Sequence, residues 1–279
     1  MLKSQSAIKR LQRQLKINKL QAKKNKESID LFGIRCENII LENKFENKSD
    51  RLWLFTRDIA IENKSFPISV GYYVKNGKID TDNRSNLYCF FPTKKKLGVC
   101  FIMHAPFVLT DSREGVREVK ENEYLYEELA KLASDSLLCL RDIGLTEGHK
   151  PLLDDSLSKI VITKQPESED PLNFFYSAFQ HVLQVNNLFP SRKEGIYLSA
   201  TKACICNQYE LRKLLTKEQL EALTSKDIDF VYDNDKIDPD DLKYYSDMGV
   251  VIFNADMFAD KISSSFLKRI EDRKSGSAG

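Results

Sequence analysis

An α+β protein in two units is the fold class this sequence predicts, and three observations carry it. Between Asp30 and Phe107, five short apolar runs are separated by turn-forming residues, which is the signature of a mixed or antiparallel sheet. From Asn122 to Leu140 the residues Tyr126, Leu129, Leu132, Ala133, Leu137 and Leu140 recur at helical spacing, so a helix covers one face of that sheet. From Leu172 onward helical and strand patterns alternate, which implies a second, smaller α/β subdomain. The expected division is a basic helical arm or linker at 1–28, a sheet-and-helix domain at 29–148, a connector at 149–171, the α/β subdomain at 172–272 and a flexible tail at 273–279.

The elements follow in order. Residues 1–26 carry Lys3, Lys9, Arg10, Arg13, Lys16, Lys19, Lys23, Lys24 and Lys26 with no acidic residue among them. Ile8, Leu11, Leu15 and Leu20 fall on one helical stripe. Strands are expected at Ile39–Leu41, at Leu52–Phe55 with Ile59 and Ile61 beyond it, at Ile68–Val74, at Leu87–Phe91 and at Val99–Met103. Asn76-Gly77 marks a hairpin turn. Pro92 to Gly98 reads as the loop joining the last two strands, and Gly144 as the end of the long helix. The stretch from Thr146 to Pro171 is polar and holds Pro151, Pro166 and Pro171. In the second unit, helices are expected at Leu172–Leu188, Tyr209–Leu215, Lys217–Leu223 and Asn254–Arg269. Strands are expected at Gly195–Leu198, Ile228–Val231 and Gly249–Ile252. Asp238-Pro239 places an N-cap and a first-position proline on a further helix.

Composition excludes several classes. The chain has 279 residues, 42% hydrophobic and 30% charged, with 43 basic against 41 acidic residues and a net charge of +2. A uniformly basic nucleic-acid coat and an acidic solvating tail are both ruled out. No apolar run approaches the roughly 18–20 residues of a membrane helix. The Met1 end is charged, so a secretory leader is not expected and a cytoplasmic location is. Cys36, Cys89, Cys100, Cys139, Cys204 and Cys206 form no CxxC pair, and His104, His149 and His181 do not repeat at metal-ligand spacing. Buried reduced thiols are expected rather than a zinc site.

Neither GxGxxG nor GxxxxGK[ST] occurs, and GxSxG and HExxH are absent too. Asp154-Asp155 and Asp240-Asp241 are adjacent pairs that diverge on any regular element, so neither is a carboxylate dyad. Two segments stand out. Phe90-Phe91-Pro92-Thr93-Lys94-Lys95-Lys96 ends a strand in a hydroxyl and three cations, with an ordinary charged hairpin tip as the plain alternative. The second is Ala105-Pro106-Phe107-Val108-Leu109-Thr110-Asp111-Ser112-Arg113-Glu114-Gly115, where Asp111 or Ser112 is expected to cap a following helix with Arg113 near its positive end. An Arg fork and free backbone N–H groups suit an anionic oxygen such as phosphate. The alternative is a surface Arg paired with Glu114 or Glu118.

The residues from Trp53 to about Leu145 resemble the middle, or transducer, region of GHKL ATPases, and most of all the Hsp90-like, sacsin-type ATP-binding proteins. The stretches that carry the resemblance are Trp53-Leu54-Phe55, Leu87 to Lys94, Phe101-Ile102-Met103-His104-Ala105-Pro106-Phe107 and Thr110-Asp111-Ser112-Arg113-Glu114. Leu188 to Ser191, Tyr197 to Ala200 and Met248 to Leu267 continue it, so it spans about residues 30–270. The resemblance implies a ribosomal-S5-like fold for the first domain. It implies that this domain docks on a Bergerat-fold domain holding ATP and Mg²⁺ and lends a basic residue to the γ-phosphate. By motif that residue is Arg113, or Lys94 as in gyrase- and MutL-like relatives, with Thr93, Lys95 and Ser112 as neighbouring phosphate contacts. No Asp-x-Gly-x-Gly occurs, and Glu118 and Asn122, though at ExxxN spacing, lie downstream of the Arg113 motif. The resemblance therefore implies that no cofactor binds this chain alone and that the Bergerat domain is a partner in cis or in trans. A protein client is a further expected partner. The competing reading is a binding or scaffold protein whose basic arm engages nucleic acid or an acidic partner.

Overall fold

The computed structural model describes residues 20–43, 48–82, 84–146, 152–232 and 237–262. Its architecture starts from two-residue turns. Strands β1 (Leu20–Leu31), β2 (Ile34–Asn43), β3 (Lys48–Ile61), β4 (Lys64–Lys75) and β5 (Lys78–Ile79) follow one another as antiparallel neighbours. Three of the turns between them place both central residues in the left-handed region: Phe32 and Gly33, Glu62 and Asn63, Asn76 and Gly77. That geometry matches the twist of the flanking strands, so each pair fixes a hairpin register. Strands β6 (Asn86–Cys89), β7 (Phe91–Lys96) and β8 (Ile102–His104) complete an eight-stranded sheet of order β1-β2-β3-β4-β8-β6-β7, with β5 beside β4. Strands β6 and β8 run parallel, so the sheet is mixed.

Three expectations about these elements are corrected. Residues 20–31 form a strand, so the arm placed at 1–28 is not helical from Leu20 onward. Pairing with β2 across the Phe32–Gly33 turn decides the conformation there. Phe91–Lys96 is a strand rather than a loop, because Phe90 at φ +62° turns the chain back onto β6. The long helix α1 (Lys120–Thr146) passes through Gly144 instead of stopping there, since Leu140 and Ile143 are buried in the core. Residues 1–19, with the Ile8-Leu11-Leu15 stripe, lie outside the described residues, as does the tail at 273–279.

The two faces of the sheet differ. Trp53, Phe55, Val70 and Tyr72 point toward α1, and the Tyr72 hydroxyl lies 2.9 Å from Ser136 Oγ of that helix. Arg57 reaches Asp135 of α1 at 2.7 Å. A short helix, α2 (Leu157–Ile160), and helix α3 (Leu172–Val185) add to this layer. The Phe101 ring lies 5.5 Å from Tyr72 and 6.2 Å from both Phe175 and Phe179. On the opposite face Ile39, Leu52 and Ile102 form a separate cluster with Leu54, Tyr73 and Tyr88. Gly71 belongs to it: a Cβ there would stand 3.2 Å from Leu52 and 3.3 Å from Leu54. The missing side chain lets those two leucines close over the strand.

The chain divides into two compact units, residues 1–182 and 183–279. Most of α3 therefore belongs to the first unit, where Phe175 and Phe179 pack on Phe101, and the boundary expected at residue 172 lies one helix too early. The second unit holds a hairpin, β9 (Phe189–Pro190) with β10 (Tyr197–Leu198), and a parallel three-stranded sheet. Its central strand β11 (Ala203–Ile205) is followed by α4 (Tyr209–Leu214), α5 (Lys217–Thr224), the edge strand β12 (Asp229–Phe230), α6 (Pro239–Asp247) and the other edge strand β13 (Val251–Ile252). Residues 255–262 are helical. Asp238 caps α6 by accepting the Asp240 N–H, with Pro239 at the first turn. Thr216 and Gln219 form a reciprocal capping box on α5.

Asp229 braces this unit. Its carboxylate accepts from Arg192 at 3.0 Å, and the same guanidinium donates to the carbonyls of Arg212 and Leu215 while lying 4.8 Å from the centre of the Phe230 ring. We predict that Asp229→Ala destabilises the second unit by about 1.5–3 kcal/mol, the range for a hydrogen bond to a charged group. An unchanged thermal unfolding midpoint for that unit would contradict this.

Candidate functional site

The two segments singled out in the sequence meet at one edge of the first unit. Strand β7 is the last strand of the sheet, and the 109–116 loop lies against it. Lys94 N–H donates to the Glu114 carbonyl at 2.7 Å, and Lys94 Nζ stands 2.7 Å from Glu114 Oε2. Both side chains are largely exposed, so this ion pair contributes at most about 1 kcal/mol. Its value is geometric, because it holds the lysine strand and the arginine loop in register.

The loop closes on itself. Leu109 and Val116 form an isolated antiparallel bridge. Thr110 N–H donates to Gly115 O at 3.0 Å, and Thr110 Oγ1 accepts Gly115 N–H at 3.1 Å. A Cβ on Gly115 would stand 3.2 Å from Thr110 Cγ2, so glycine fits the close approach. Within the loop Arg113 N–H donates to Thr110 O at 2.8 Å, and Arg113 itself has φ +59°. A left-handed non-glycine residue is uncommon and costs backbone energy. The Arg113 side chain is exposed, and its guanidinium has no hydrogen-bond or ion-pair partner among the described residues.

This closure corrects one expectation. Helix α1 begins at Lys120, so neither Asp111 nor Ser112 caps it, and Arg113 gains nothing from its dipole. Asp111 instead pairs with Arg117. Ser112 Oγ lies 3.2 Å from Thr110 Oγ1 and accepts Glu114 N–H at 3.4 Å, so it shapes the loop.

The remaining nominated residues divide. Thr93 is buried, its hydroxyl donating to Leu87 O at 2.9 Å and accepting Lys95 N–H at 3.2 Å. Both functions of that oxygen are spent on the backbone, which turns Thr93 away from any ligand. Lys95 and Lys96 are exposed and line a groove of about 1560 Å³ with Arg117, Asn122, Tyr126 and Phe174. Thus Lys94, Ser112 and Arg113 are brought together, Lys95 flanks them, and Thr93 is not among them.

The sequence singles out Asn122 only for its ExxxN spacing with Glu118, and nothing about an Asn in a first helical turn announces the structural role it plays. Its side chain accepts Val108 N–H at 2.8 Å and donates to the carbonyls of Val108 and Arg117 at 2.8 Å each. It is buried and ties both stems of the arginine loop to α1. Asn122→Ala leaves those backbone groups unsatisfied. The expected cost is about 1–3 kcal/mol, read as a lower urea midpoint together with faster proteolysis between Val108 and Arg117.

Among the described residues no group of three or more His, Cys, Asp and Glu side chains could hold a metal ion, and no helix is long and apolar enough to cross a membrane. Comparison with protein-family models, curated proteins and solved structures returns no match.

Proposed function

We propose that this chain is the transducer module of a GHKL ATPase of the Hsp90-like, sacsin-type kind. In this reading the first unit is a ribosomal-S5-like domain, and it couples the nucleotide state of a Bergerat-fold domain to a protein client. The observation that carries the proposal is the convergence of Lys94 with the Ser112-Arg113-Glu114 loop. Two sequence segments that separately suggest a phosphate contact are joined by a main-chain hydrogen bond, and the loop presents an exposed guanidinium. A positioned cation of this kind stabilises the charge that develops on a transferring phosphoryl group. Lys94 is neutralised by Glu114, which supports Arg113 as the phosphate donor and Lys94 as the residue that holds its loop.

The chain supplies no nucleotide pocket in this reading. ATP and Mg²⁺ belong to the Bergerat-fold partner, and what these residues fit is a contact to the terminal phosphate. The test is ATP turnover of such a domain combined with this chain, in cis or in trans, with Arg113 intact or replaced by alanine. The reading in which a basic arm binds nucleic acid rests mainly on residues 1–19, which lie outside the described residues.

A further inference from the structure

We propose that residues 1–19 cover the face of the sheet opposite α1, with Ile8, Leu11 and Leu15 packed on Ile39, Leu52 and Leu54. By register Glu37 and Ile39 of β2, Leu52 and Thr56 of β3, Ser69 of β4 and Ile102 of β8 share that face, and each is at most 7% exposed. Antiparallel strands with one face in water alternate apolar and polar residues, whereas Leu52-Trp53-Leu54-Phe55 is apolar on both sides. Helices α1 and α3 meet the sheet on its other face, through Tyr72 and Phe101. The dry face opposite them therefore needs a cover of its own.

The segment that precedes β1, outside the described residues, has the reach to supply it. Leu20 pairs with Asn43 and Lys24 with Ile39, so the chain enters the sheet about 13 Å along β1 from the level of Ile39. Strands β1 and β2 are neighbours, a lateral step of about 5 Å. The chain from Leu15 to Leu20 spans up to about 17 Å when extended, enough to set Leu15 over β2. Ile8, Leu11 and Leu15 recur at helical spacing. As a helix they advance about 10 Å, which is about two strand spacings and carries the stripe from β2 to β4.

Charge selects the same occupant. The segment brings Lys3, Lys9, Arg10, Arg13, Lys16 and Lys19 with no acidic residue, and the face it meets holds the Glu37 carboxylate. Acidic side chains are seldom buried this deeply without a cation nearby. A basic segment with an apolar stripe meets both demands of the face, and this docking is independent of the phosphate role proposed for Arg113.

The test uses the whole chain with the photoreactive residue p-benzoylphenylalanine in place of Leu11. Irradiation is expected to join it, within one chain, to peptides that carry Ile39, Leu52, Leu54, Tyr73 or Ile102. Hydroxyl-radical footprinting reads the same contact from the sheet side. When Ile8→Ser, Leu11→Ser and Leu15→Ser are combined, oxidation of Leu54 and Tyr73 rises several-fold, while Tyr72 on the α1 face stays protected. A crosslink between two chains assigns the face to a second copy and overturns the proposal. A crosslink to any other part of the chain, or none at all, overturns it too, as does oxidation of Tyr73 that the three serines leave unchanged. Oxidation of Tyr72 in the serine variant reports unfolding, and the crosslink then decides alone.

Discussion

If the proposed function holds, the expected result is that Arg113→Ala lowers ATP turnover by about 10³–10⁵-fold when this chain is combined with a Bergerat-fold nucleotide-binding domain, the range that separates phosphoryl-transfer sites with and without an arginine finger. Nucleotide affinity is expected to change little, because on that reading the guanidinium acts on charge that develops only as the terminal phosphate leaves. Arg113→Lys recovers part of the rate at most, since an ammonium lacks the fork that engages two phosphate oxygens. Lys94→Ala has a smaller effect on this reading; it removes an exposed ion pair but leaves the main-chain bond from residue 94 to Glu114. Turnover is measured by phosphate release at saturating ATP. A rate in Arg113→Ala equal to that of the unsubstituted chain leaves no phosphate role for this loop and sinks the functional assignment.

The second large effect is on stability. Phe101→Ala destabilises the first unit by about 3–5 kcal/mol, the usual cost of truncating a fully buried aromatic. Phe101 is 0% exposed and packs against Tyr72 of the sheet and both Phe175 and Phe179 of α3. The lost contacts therefore come from the sheet and a helix at once. With a urea dependence of about 1–3 kcal/mol per molar, the midpoint of the first unit falls by at least about 1 M. A shift under about 0.3 M at the same slope would mean that the sheet and α3 do not depend on this ring. Phe101→Leu, which keeps most of the volume, recovers the greater part of the loss.

Local chemistry is legible in the sequence, and long-range pairing is not. Asn76-Gly77 announces its turn because both residues accept a left-handed backbone cheaply. Phe32-Gly33 and Glu62-Asn63 adopt the same turn without that signal, because strand pairing on both sides compensates for the strain at Phe32 and Glu62. The Asp238-Pro239 cap is readable for the same local reason as Asn76-Gly77. Residues 20–31 mislead because a lysine-rich edge strand, paired on one side only, need not alternate apolar and polar residues. Lys94, Lys95 and Lys96 mislead in the same way: charges on an outermost strand look like a loop, although they also protect that edge from pairing with another chain. The two site segments can be nominated from their residue types. Their contact cannot, since it depends on β8 inserting between β4 and β6 and so carrying β7 out to the Glu114 loop.

That insertion has a kinetic consequence. Strands β1 to β4 pair with their sequence neighbours, through turns of two residues or a short link, so their closure costs little chain entropy. Strands β6 and β7 have no such route. They join the sheet only through β8, which is synthesised after them, and only once Ser69–Gly71 has paired with Ile102–His104. Our hypothesis is that the β6–β7 hairpin and the arginine loop are the last parts of the first unit to fold and the first to open. Pulsed hydrogen exchange during refolding reads this directly: the amides of Lys94 and Ala105 gain protection after those of β3 and β4, and simultaneous protection would refute the order. An edge assembled late and released early is also one that, in the proposed function, can rearrange around a phosphate without unfolding the meander behind it.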